Sequence, residues 1–201
     1  MWYEVHVTVE EQPTLTQTID FEKVCREEFN CKCNLIELSS GKYPLQLMLA
    51  AKAAHKDDEQ AAVWGMIFAK RLTDKGWNVV RTKVESELKK GTNAYFEAHW
   101  KFHLDGQQRF MEFNHFISVF NSPLEDADPA TWPKYMSSRN HLQEGVYYLS
   151  QRNYSGDYNA AKKQFDKASK QIEQYNLPLD KAHYERVLCD SFPGLDEGWT
   201  D

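Results

Sequence analysis

Two segments of this chain, one in each half, carry the same pattern of ionisable residues at alternating positions. Residues 4–8 read Glu-x-His-x-Thr, and residues 97–101 read Glu-x-His-x-Lys. An imidazole has an ordinary pKa of about 6.5, so His6 and His99 are suited to exchange protons at neutral pH. The hydroxyl and ammonium groups beside them are suited to bind the oxygens of an anion. We therefore interpret both segments as candidates for acid–base chemistry on an anionic ligand.

Each half also ends with one of two similar segments. Residues 81–86 read Arg-Thr-Lys-Val-Glu-Ser, and residues 186–191 read Arg-Val-Leu-Cys-Asp-Ser. The repeated order indicates an internal duplication, which places a histidine, a carboxylate and an arginine at related positions in each half. We predict a first repeat over residues 1–90 and a second over residues 91–201.

The first repeat combines strand-like and helix-like patterns. Residues 2–10 alternate between apolar and polar side chains, as in a half-buried strand, whereas Phe21, Val24 and Phe29 keep helical spacing. The predicted elements are a strand at 2–10, a helix near 20–30, strands at 33–39 and 45–53, a helix at 58–76 and a strand at 77–86. The segment 45–56 is rich in Leu, Ala and Lys and is equally compatible with a helix.

The second repeat follows the same order. The predicted elements are a strand at 94–104, a helix at 107–121, short strands near 134–139 and 145–152, a helix at 156–176 and a strand at 183–190. Three prolines within residues 122–133 indicate a loop insertion, and residues 192–201 are predicted to form an irregular tail.

The order strand–helix–strand–strand–helix–strand, present twice, is typical of the ferredoxin-like fold. We therefore predict an α+β protein of two tandem ferredoxin-like repeats, with antiparallel sheets and helices on one face. The apolar side of each strand must meet the helices, which leaves the polar side open. If a pseudo-two-fold axis relates the repeats, their polar faces converge on one groove.

The predicted site follows from which side chains share that polar face. His6 and His99 are the candidate catalytic residues. The candidate ligand-binding residues are Glu4, Thr8, Arg81, Lys83, Glu97, Lys101, His103, Arg186 and Asp190. This set is suited to a small anionic or phosphate-containing ligand. A solvent-facing sheet with cross-strand ion pairs shows the same alternation, however, and needs no ligand.

The segment His6-Val7-Thr8-Val9 resembles the His-x-Thr-hydrophobic motif of the two-histidine phosphoesterases. That family has two related α/β lobes with one motif in each. The resemblance implies that His6 and His99 act as general base and general acid on a phosphodiester, while Thr8 holds a phosphate oxygen. Lys101 stands where the family has its second hydroxyl, which is a departure from the motif.

Two other interpretations remain open at this stage. A divalent cation could use the oxygen and nitrogen donors of Glu4, His6, Glu97 and His99, but nearby cationic side chains disfavour it, and we predict neither a metal nor a cofactor. The main alternative is a protein without enzymatic activity that binds a small ligand or a protein partner, or forms a homodimer through its open sheets. Aromatic residues expected to be exposed, namely Trp132, Tyr135 and Trp199, favour such contacts, although the alternative is that they plug the edge of a sheet.

Composition disfavours several other classes. The net charge of −6 disfavours a nucleic-acid binder, and no apolar run approaches the ~20 residues that span a bilayer. The four cysteines are too few and too unevenly placed for a disulfide framework. We therefore predict a cytoplasmic protein with reduced thiols and no membrane partner. No phosphate-binding loop, dinucleotide fingerprint or nucleophile elbow is present.

Overall fold

The computed structural model describes residues 1–10, 13–122 and 134–199. The first half contains six main elements in the predicted order. They are β1 (Trp2–Val9), α1 (Leu15–Val24), β2 (Lys32–Leu38), β3 (Leu45–Ala54), α2 (Asp58–Asp74) and β4 (Val79–Glu87). The segment 45–56, whose sequence was equally compatible with a helix, thus forms a strand, β3.

The second half repeats this order. Its elements are β5 (Tyr95–His103), α3 (Gly106–Asn121), β6 (Met136–Asn140), β7 (Val146–Asn153), α4 (Tyr158–Gln174) and β8 (Leu179–Asp190). A short 3-10 helix, Pro193–Asp196, follows β8. The predicted insertion lies outside the described residues, apart from its first residue, as does Trp132.

Helix α1 begins earlier than predicted, because Thr14 and Gln17 form a capping box. The Thr14 hydroxyl accepts a hydrogen bond from the Gln17 backbone N–H at 3.2 Å, and Gln17 Oε1 accepts one from the Thr14 N–H at 2.8 Å. At its other end α1 widens into a π-helical segment, Cys25–Phe29. Asn30, with a φ of 50°, ends that segment in the left-handed conformation.

The eight strands form one closed antiparallel barrel in the order β1-β3-β2-β6-β7-β5-β8-β4. Each half contributes four adjacent strands, and two junctions join the halves. In one junction β2 pairs with β6, for example Glu37 opposite Arg139. In the other β4 pairs with β8, where Lys83 lies opposite Asp190. The protein is α+β, but the predicted pair of ferredoxin-like sheets with open faces is wrong, because both sheets close into a single barrel.

The helices pack on the outside of this barrel over two apolar cores. Side chains on a strand alternate between its two faces, so the buried residues Val5 and Val7 of β1 meet α1 and α2. In the second half, fully buried Trp100 of β5 packs edge-to-face on Phe165 of α4. Gly65 lets α2 approach the barrel, since a Cβ there would lie 2.7 Å from a methyl group of Val84.

The polar face of the strands consequently lines the interior of the barrel. The predicted alternation was correct, but its environment differs from the expected open sheet face. The side chains of Glu85 and Glu97, for instance, are each only 1% exposed. No helix of the described ranges is long and apolar enough to cross a membrane.

Candidate functional site

The barrel encloses a cavity of about 390 Å³. Its lining comes from all eight strands and from the residues after β8. One end, here called the floor, is closed by Asp196 and Trp199. The other end, here called the mouth, is bordered by four lysines: Lys32, Lys52, Lys101 and Lys181.

Lys83 of β4 occupies the middle of the cavity wall. Its ammonium group lies 2.6 Å from Glu85 Oε1 and 2.8 Å from Glu97 Oε2. Burial by itself lowers the pKa of Lys83, but the two carboxylates raise it well above its ordinary value. Lys83 is therefore a fixed positive charge between two buried carboxylates that come from different halves of the barrel.

His6 binds the same carboxylate network from the first half. Its Nε2 lies 3.0 Å from Glu85 Oε2 and 3.6 Å from Glu4 Oε1. Burial by itself lowers the pKa of His6, but Glu85 and Glu4 outweigh it and raise the pKa above its ordinary value. The carboxylates around the imidazole thus favour its protonated form.

His99 has an equivalent environment in the second half. Its Nδ1 forms a 2.7 Å hydrogen bond with the Ser150 hydroxyl, and its Nε2 lies 3.4 Å from Glu97 and 3.6 Å from Glu185. Burial again lowers its pKa by itself, while Glu97 and Glu185 raise it overall. His183, directly opposite on β8, lies 3.2 Å from Glu185. The duplication therefore places two similar histidine–carboxylate pairs on one lumen.

The floor is built on Arg81, which is 5% exposed. Its Nε donates to Asp190 Oδ1 at 2.8 Å, and its Nη1 donates to Asp196 Oδ2 at 2.7 Å. Tyr95 completes the cluster by donating its hydroxyl to Asp190 at 2.8 Å. These bonds tie the residues after β8 to β4 and β5.

Arg152 of β7 links the floor to the middle of the cavity. Its Nε donates to Glu97 Oε1 at 2.7 Å, and its Nη2 donates to Asp196 Oδ2 at 2.6 Å. The guanidinium also lies over the Trp199 ring, 5.7 Å from the centroid. The Trp199 indole donates to the Ser137 carbonyl at 3.0 Å and is 7% exposed. Trp199 therefore closes the floor, and the expectation that it is exposed was wrong; the same holds for Tyr135, which is 3% exposed.

The buried ionic groups of the lumen balance only if two histidines carry a proton. Within the described residues, the lumen contains three cationic side chains that are at most 12% exposed and five carboxylates that are at most 6% exposed. The cations are Arg81, Lys83 and Arg152, and the carboxylates are Glu85, Glu97, Glu185, Asp190 and Asp196. Three imidazoles contact this network, namely His6, His99 and His183, and a proton on two of them compensates the two remaining negative charges. Unpaired buried charge is costly, and the surrounding carboxylates raise the pKa of His6 and His99, so the network favours these two imidazolium ions.

The stability of the protein is expected to depend on pH on both sides of neutrality. The raised pKa of His6 and His99 contributes stability that is full below the ordinary value of 6.5 and is lost as pH rises through the raised values. The lowered pKa of Glu85 and Glu97 contributes stability that is full above the ordinary value of 4.5 and is lost as pH falls. Stability should therefore be highest between about pH 5 and 6.5.

Urea unfolding across pH 3 to 9 measures this dependence. His6→Asn with His99→Asn should flatten the alkaline decline, whereas His103→Asn, at an exposed histidine, should leave it unchanged. A wild-type stability that still rises from pH 6 to pH 9 would contradict the assignment of charged histidines.

Below the mouth, one wall of the cavity is largely apolar. It is formed by β2, β3 and the residues that close the floor, with apolar side chains Ile36, Leu38, Met48, Ala50 and Trp199 beside the amides of Asn34 and Gln46. The facing strands β4, β5 and β8 carry the charged groups described above. The cavity is thus two-sided, and it suits a molecule with an apolar body and a charged or polar group.

The mouth adds positive charge to this cavity. Lys52 lies 2.5 Å from Glu4, and Lys101 lies 3.1 Å from Asp180. Lys32 and Lys181 form no ion pair with any residue in the described ranges, and both are exposed. These two ammonium groups are therefore available to an anion that enters the barrel.

The structure brings together most of the predicted site residues. Eight of them line the cavity: Glu4, His6, Thr8, Arg81, Lys83, Glu97, His99 and Lys101. Asp190 lies in the floor, bound to Arg81. His103 lies elsewhere, beside Asp105 in a surface depression. Arg186 faces the outside of the barrel, where it binds Asp58 at 2.7 Å and the Ser86 hydroxyl at 3.2 Å.

Sequence reasoning missed several residues of the lumen. Arg152 lies on a predicted strand but was not chosen, and its alternation with Ser150 was the available signal. His183 and Glu185 lie on the strand predicted at 183–190 but were not chosen, although they alternate onto the same face of that strand. Asp196 follows the last strand and had no periodic signal.

The predicted function is wrong as well. In the part of the chain that the structure describes, the polar faces meet inside one barrel rather than across a cleft, so the expected anion-binding groove between two repeats is absent there. His6 and His99 bind separate carboxylates, Glu85 and Glu97, with the Lys83 ammonium between those carboxylates. Thr8, assigned to a phosphate oxygen, is 1% exposed near the floor. This arrangement does not leave two free imidazoles around one phosphodiester.

The donors closest to a metal-ligand geometry are also occupied. Atoms of Glu85, Glu97 and His99 lie within 4.8 Å of one another. The Lys83 ammonium binds both of these carboxylates, so a metal cation would have to displace it. Glu4, which belonged to the metal set considered from the sequence, binds Lys52 instead.

The sequence matches no protein-family model and no curated protein. Among solved structures, the chain is similar to a "putative monooxygenase" from Lactobacillus acidophilus NCFM, with 10% identity, 94% of this chain and 93% of that chain covered, and a TM-score of 0.33. A "putative monooxygenase" from Fusobacterium nucleatum subsp. nucleatum has 7% identity, coverage of 94% and 92%, and a TM-score of 0.35.

A third solved structure, a "putative chlorite dismutase", has 11% identity, coverage of 94% and 95%, and a TM-score of 0.32. Structural similarity at this level of identity and TM-score gives no evidence about activity. None of the comparisons tests the resemblance to two-histidine phosphoesterases, which stays a prediction based on two short strands. The predicted homodimer and cytoplasmic location also stay predictions.

Proposed function

We propose that the protein binds a small amphipathic organic anion inside its barrel. The observation that carries this proposal is the two-sided cavity of about 390 Å³, with an apolar wall on β2 and β3 and charged groups opposite. Volumes of roughly 300–1,000 Å³ are typical of small-molecule sites in proteins. An apolar body would pack against Ile36, Met48 and Ala50.

The acidic group of the ligand would lie towards the mouth. The floor and the middle of the lumen are already neutral when both histidines are protonated, so they offer no uncompensated positive charge to a second anion. At the mouth, by contrast, Lys32 and Lys181 are exposed cations without an acidic partner among the described residues. In this orientation the apolar body of an organic acid packs against the apolar wall, and its acidic group pairs with the lysines at the mouth.

Two dyes that differ by one charged group test the proposal. We expect 8-anilinonaphthalene-1-sulfonate to bind at one site with increased fluorescence. N-Phenyl-1-naphthylamine, which has the same rings without the sulfonate, should bind more weakly. Lys32→Ala with Lys181→Ala should reduce sulfonate-dye affinity about three- to tenfold, which corresponds to ~1 kcal/mol. The same change should leave the neutral dye unaffected.

A cavity-filling substitution separates the lumen from the outer surface. Ala50→Phe places a ring inside the barrel and should abolish binding of both dyes. Val63→Phe adds the same ring to an exposed position of α2 and should bind like the wild type. Equal dye binding by Ala50→Phe and the wild type, with native circular dichroism in both, would exclude the lumen as the binding site.

A further inference from the structure

The outer face of α2 is apolar at its centre. The buried residues of this helix lie on its inner face, towards the barrel: Ala61, Gly65, Phe68 and Leu72. On the opposite face, Val63, Met66 and Ile67 are 44%, 61% and 51% exposed. Residues three and four positions apart are neighbours on a helix surface, so these three side chains form one continuous stripe. A cluster of exposed apolar side chains of this kind marks an interaction surface.

The duplication provides an internal comparison for this stripe. Helix α4 is the equivalent helix of the second half and has the same length of 17 residues, with Tyr158 corresponding to Asp58. The four positions that α2 buries are buried in α4 as well: Ala161, Phe165, Ala168 and Ile172. At the three outer positions, however, α4 carries Lys163, Asp166 and Lys167. Packing on the barrel therefore does not require an apolar outer face, and the stripe is specific to α2.

Charged residues border the stripe in an order that is complementary to itself. Glu59 and Lys70 lie on the same side of the helix, four residues before position 63 and four residues after position 66. Lys56 and Asp74 flank them at the two ends of the helix, and all four residues are exposed. When two copies of this pattern lie antiparallel, Glu59 of each faces Lys70 of the other, and Lys56 faces Asp74. A parallel arrangement would instead place like charges opposite each other.

We propose that two copies of this chain form a homodimer through α2, with the two helices antiparallel about a two-fold axis level with residues 64 and 65. Val63 of each copy then packs against Met66 and Ile67 of the other, so the same patch serves both copies. A contact centred on one helix of about 25 Å buries less than the ~1,200 Å² of stable interfaces, and the dimer is accordingly weak and concentration-dependent. The contact lies outside the barrel and does not depend on a ligand in the lumen.

Sedimentation velocity of the full chain tests the association. The average sedimentation coefficient of the wild type should rise from that of a monomer towards that of a dimer between about 5 and 500 µM, the range of a weak interface. Met66→Glu should weaken the association at least about tenfold. Met111→Glu is the matched control, because Met111 is 57% exposed on the separate helix α3, and it should behave like the wild type. A wild type that stays monomeric throughout overturns the proposal and leaves the stripe to a different partner.

A charge exchange tests the antiparallel arrangement. Glu59→Lys alone and Lys70→Glu alone each place like charges opposite each other in the homodimer, so each variant should associate more weakly than the wild type. An equimolar mixture of the two variants should recover the association, because both contacts between unlike copies then join opposite charges. Circular dichroism checks that each exposed substitution leaves the fold intact. A mixture that associates no better than either variant alone overturns the proposal. Dye binding is measured separately, so failure of the dimer is distinguishable from failure of the ligand site.

Discussion

Replacement of Lys83 by methionine is expected to lower the free energy of unfolding by about 3–5 kcal/mol at pH 7, the range for breaking a buried ion pair by removing one partner. Lys83 is the ammonium group shared by Glu85 and Glu97, and both of these side chains are 1% exposed. Methionine has a similar length and no charge, so it leaves two buried carboxylates facing each other. Urea unfolding followed by circular dichroism measures the loss.

The matched control is Lys101→Met, on β5 at the mouth, where β8 separates it from β4. Lys101 is 34% exposed and binds Asp180, which is 52% exposed. A partly exposed pair of this kind contributes roughly 0–1 kcal/mol. The Lys83→Met loss should also shrink at pH 5, because the unpaired carboxylates then take up protons more readily. Equal effects of the two substitutions would show that the lumen network is solvated and contributes little.

Replacement of Asp196 by alanine is expected to lower the free energy of unfolding by about 3 kcal/mol, at the low end of the range for breaking buried pairs. Asp196 accepts hydrogen bonds from Arg81 at 2.7 Å, from Arg152 at 2.6 Å and from Gln46 at 2.8 Å. Both arginines keep another carboxylate partner, which limits the loss. Because Asp196 anchors the floor, the same change should release Trp199 from its place over Arg152.

Hydrogen exchange locates this second effect. Peptides that contain residues 192–199 should exchange faster in Asp196→Ala, while peptides from the outer core around Trp100 should change little. Asp180→Ala, which removes an exposed carboxylate at the opposite end of the barrel, is the control. Unchanged exchange of the 192–199 segment would mean that packing of Trp199, rather than the Asp196 ion pairs, closes the floor.

The local elements were largely predictable, because each depends on neighbouring residues. The alternation in β1 and β5 marked two strands and their apolar faces, and the spacing of Ala161, Phe165, Ala168 and Ile172 marked α4, where all four are buried. The start of α1 was predicted too late, although Thr14 and Gln17 carried a capping signal. Alternation also placed His6 and His99 correctly on the polar side of their strands.

The surroundings of that polar side could not be predicted in the same way. A strand with one apolar and one polar face looks the same whether the polar face meets solvent or a lumen of compensating charges. The deciding contacts are the pairing of β2 with β6 and of β4 with β8, which join residues about a hundred positions apart, such as Glu37 with Arg139. Such pairing depends on sheet twist and closure and leaves no periodic mark in the sequence.

Residue order and alternation alone determine the duplication, the element types and which side chains share a face, because these are properties of neighbouring residues. Tertiary structure alone decides that the two polar faces enclose one cavity, that Lys83 lies between carboxylates from both halves and that Asp196 and Trp199 close the floor. The physical reason is that charge pairing inside a barrel is a long-range property. It appears only when strands distant in the sequence are brought within a few ångströms of one another.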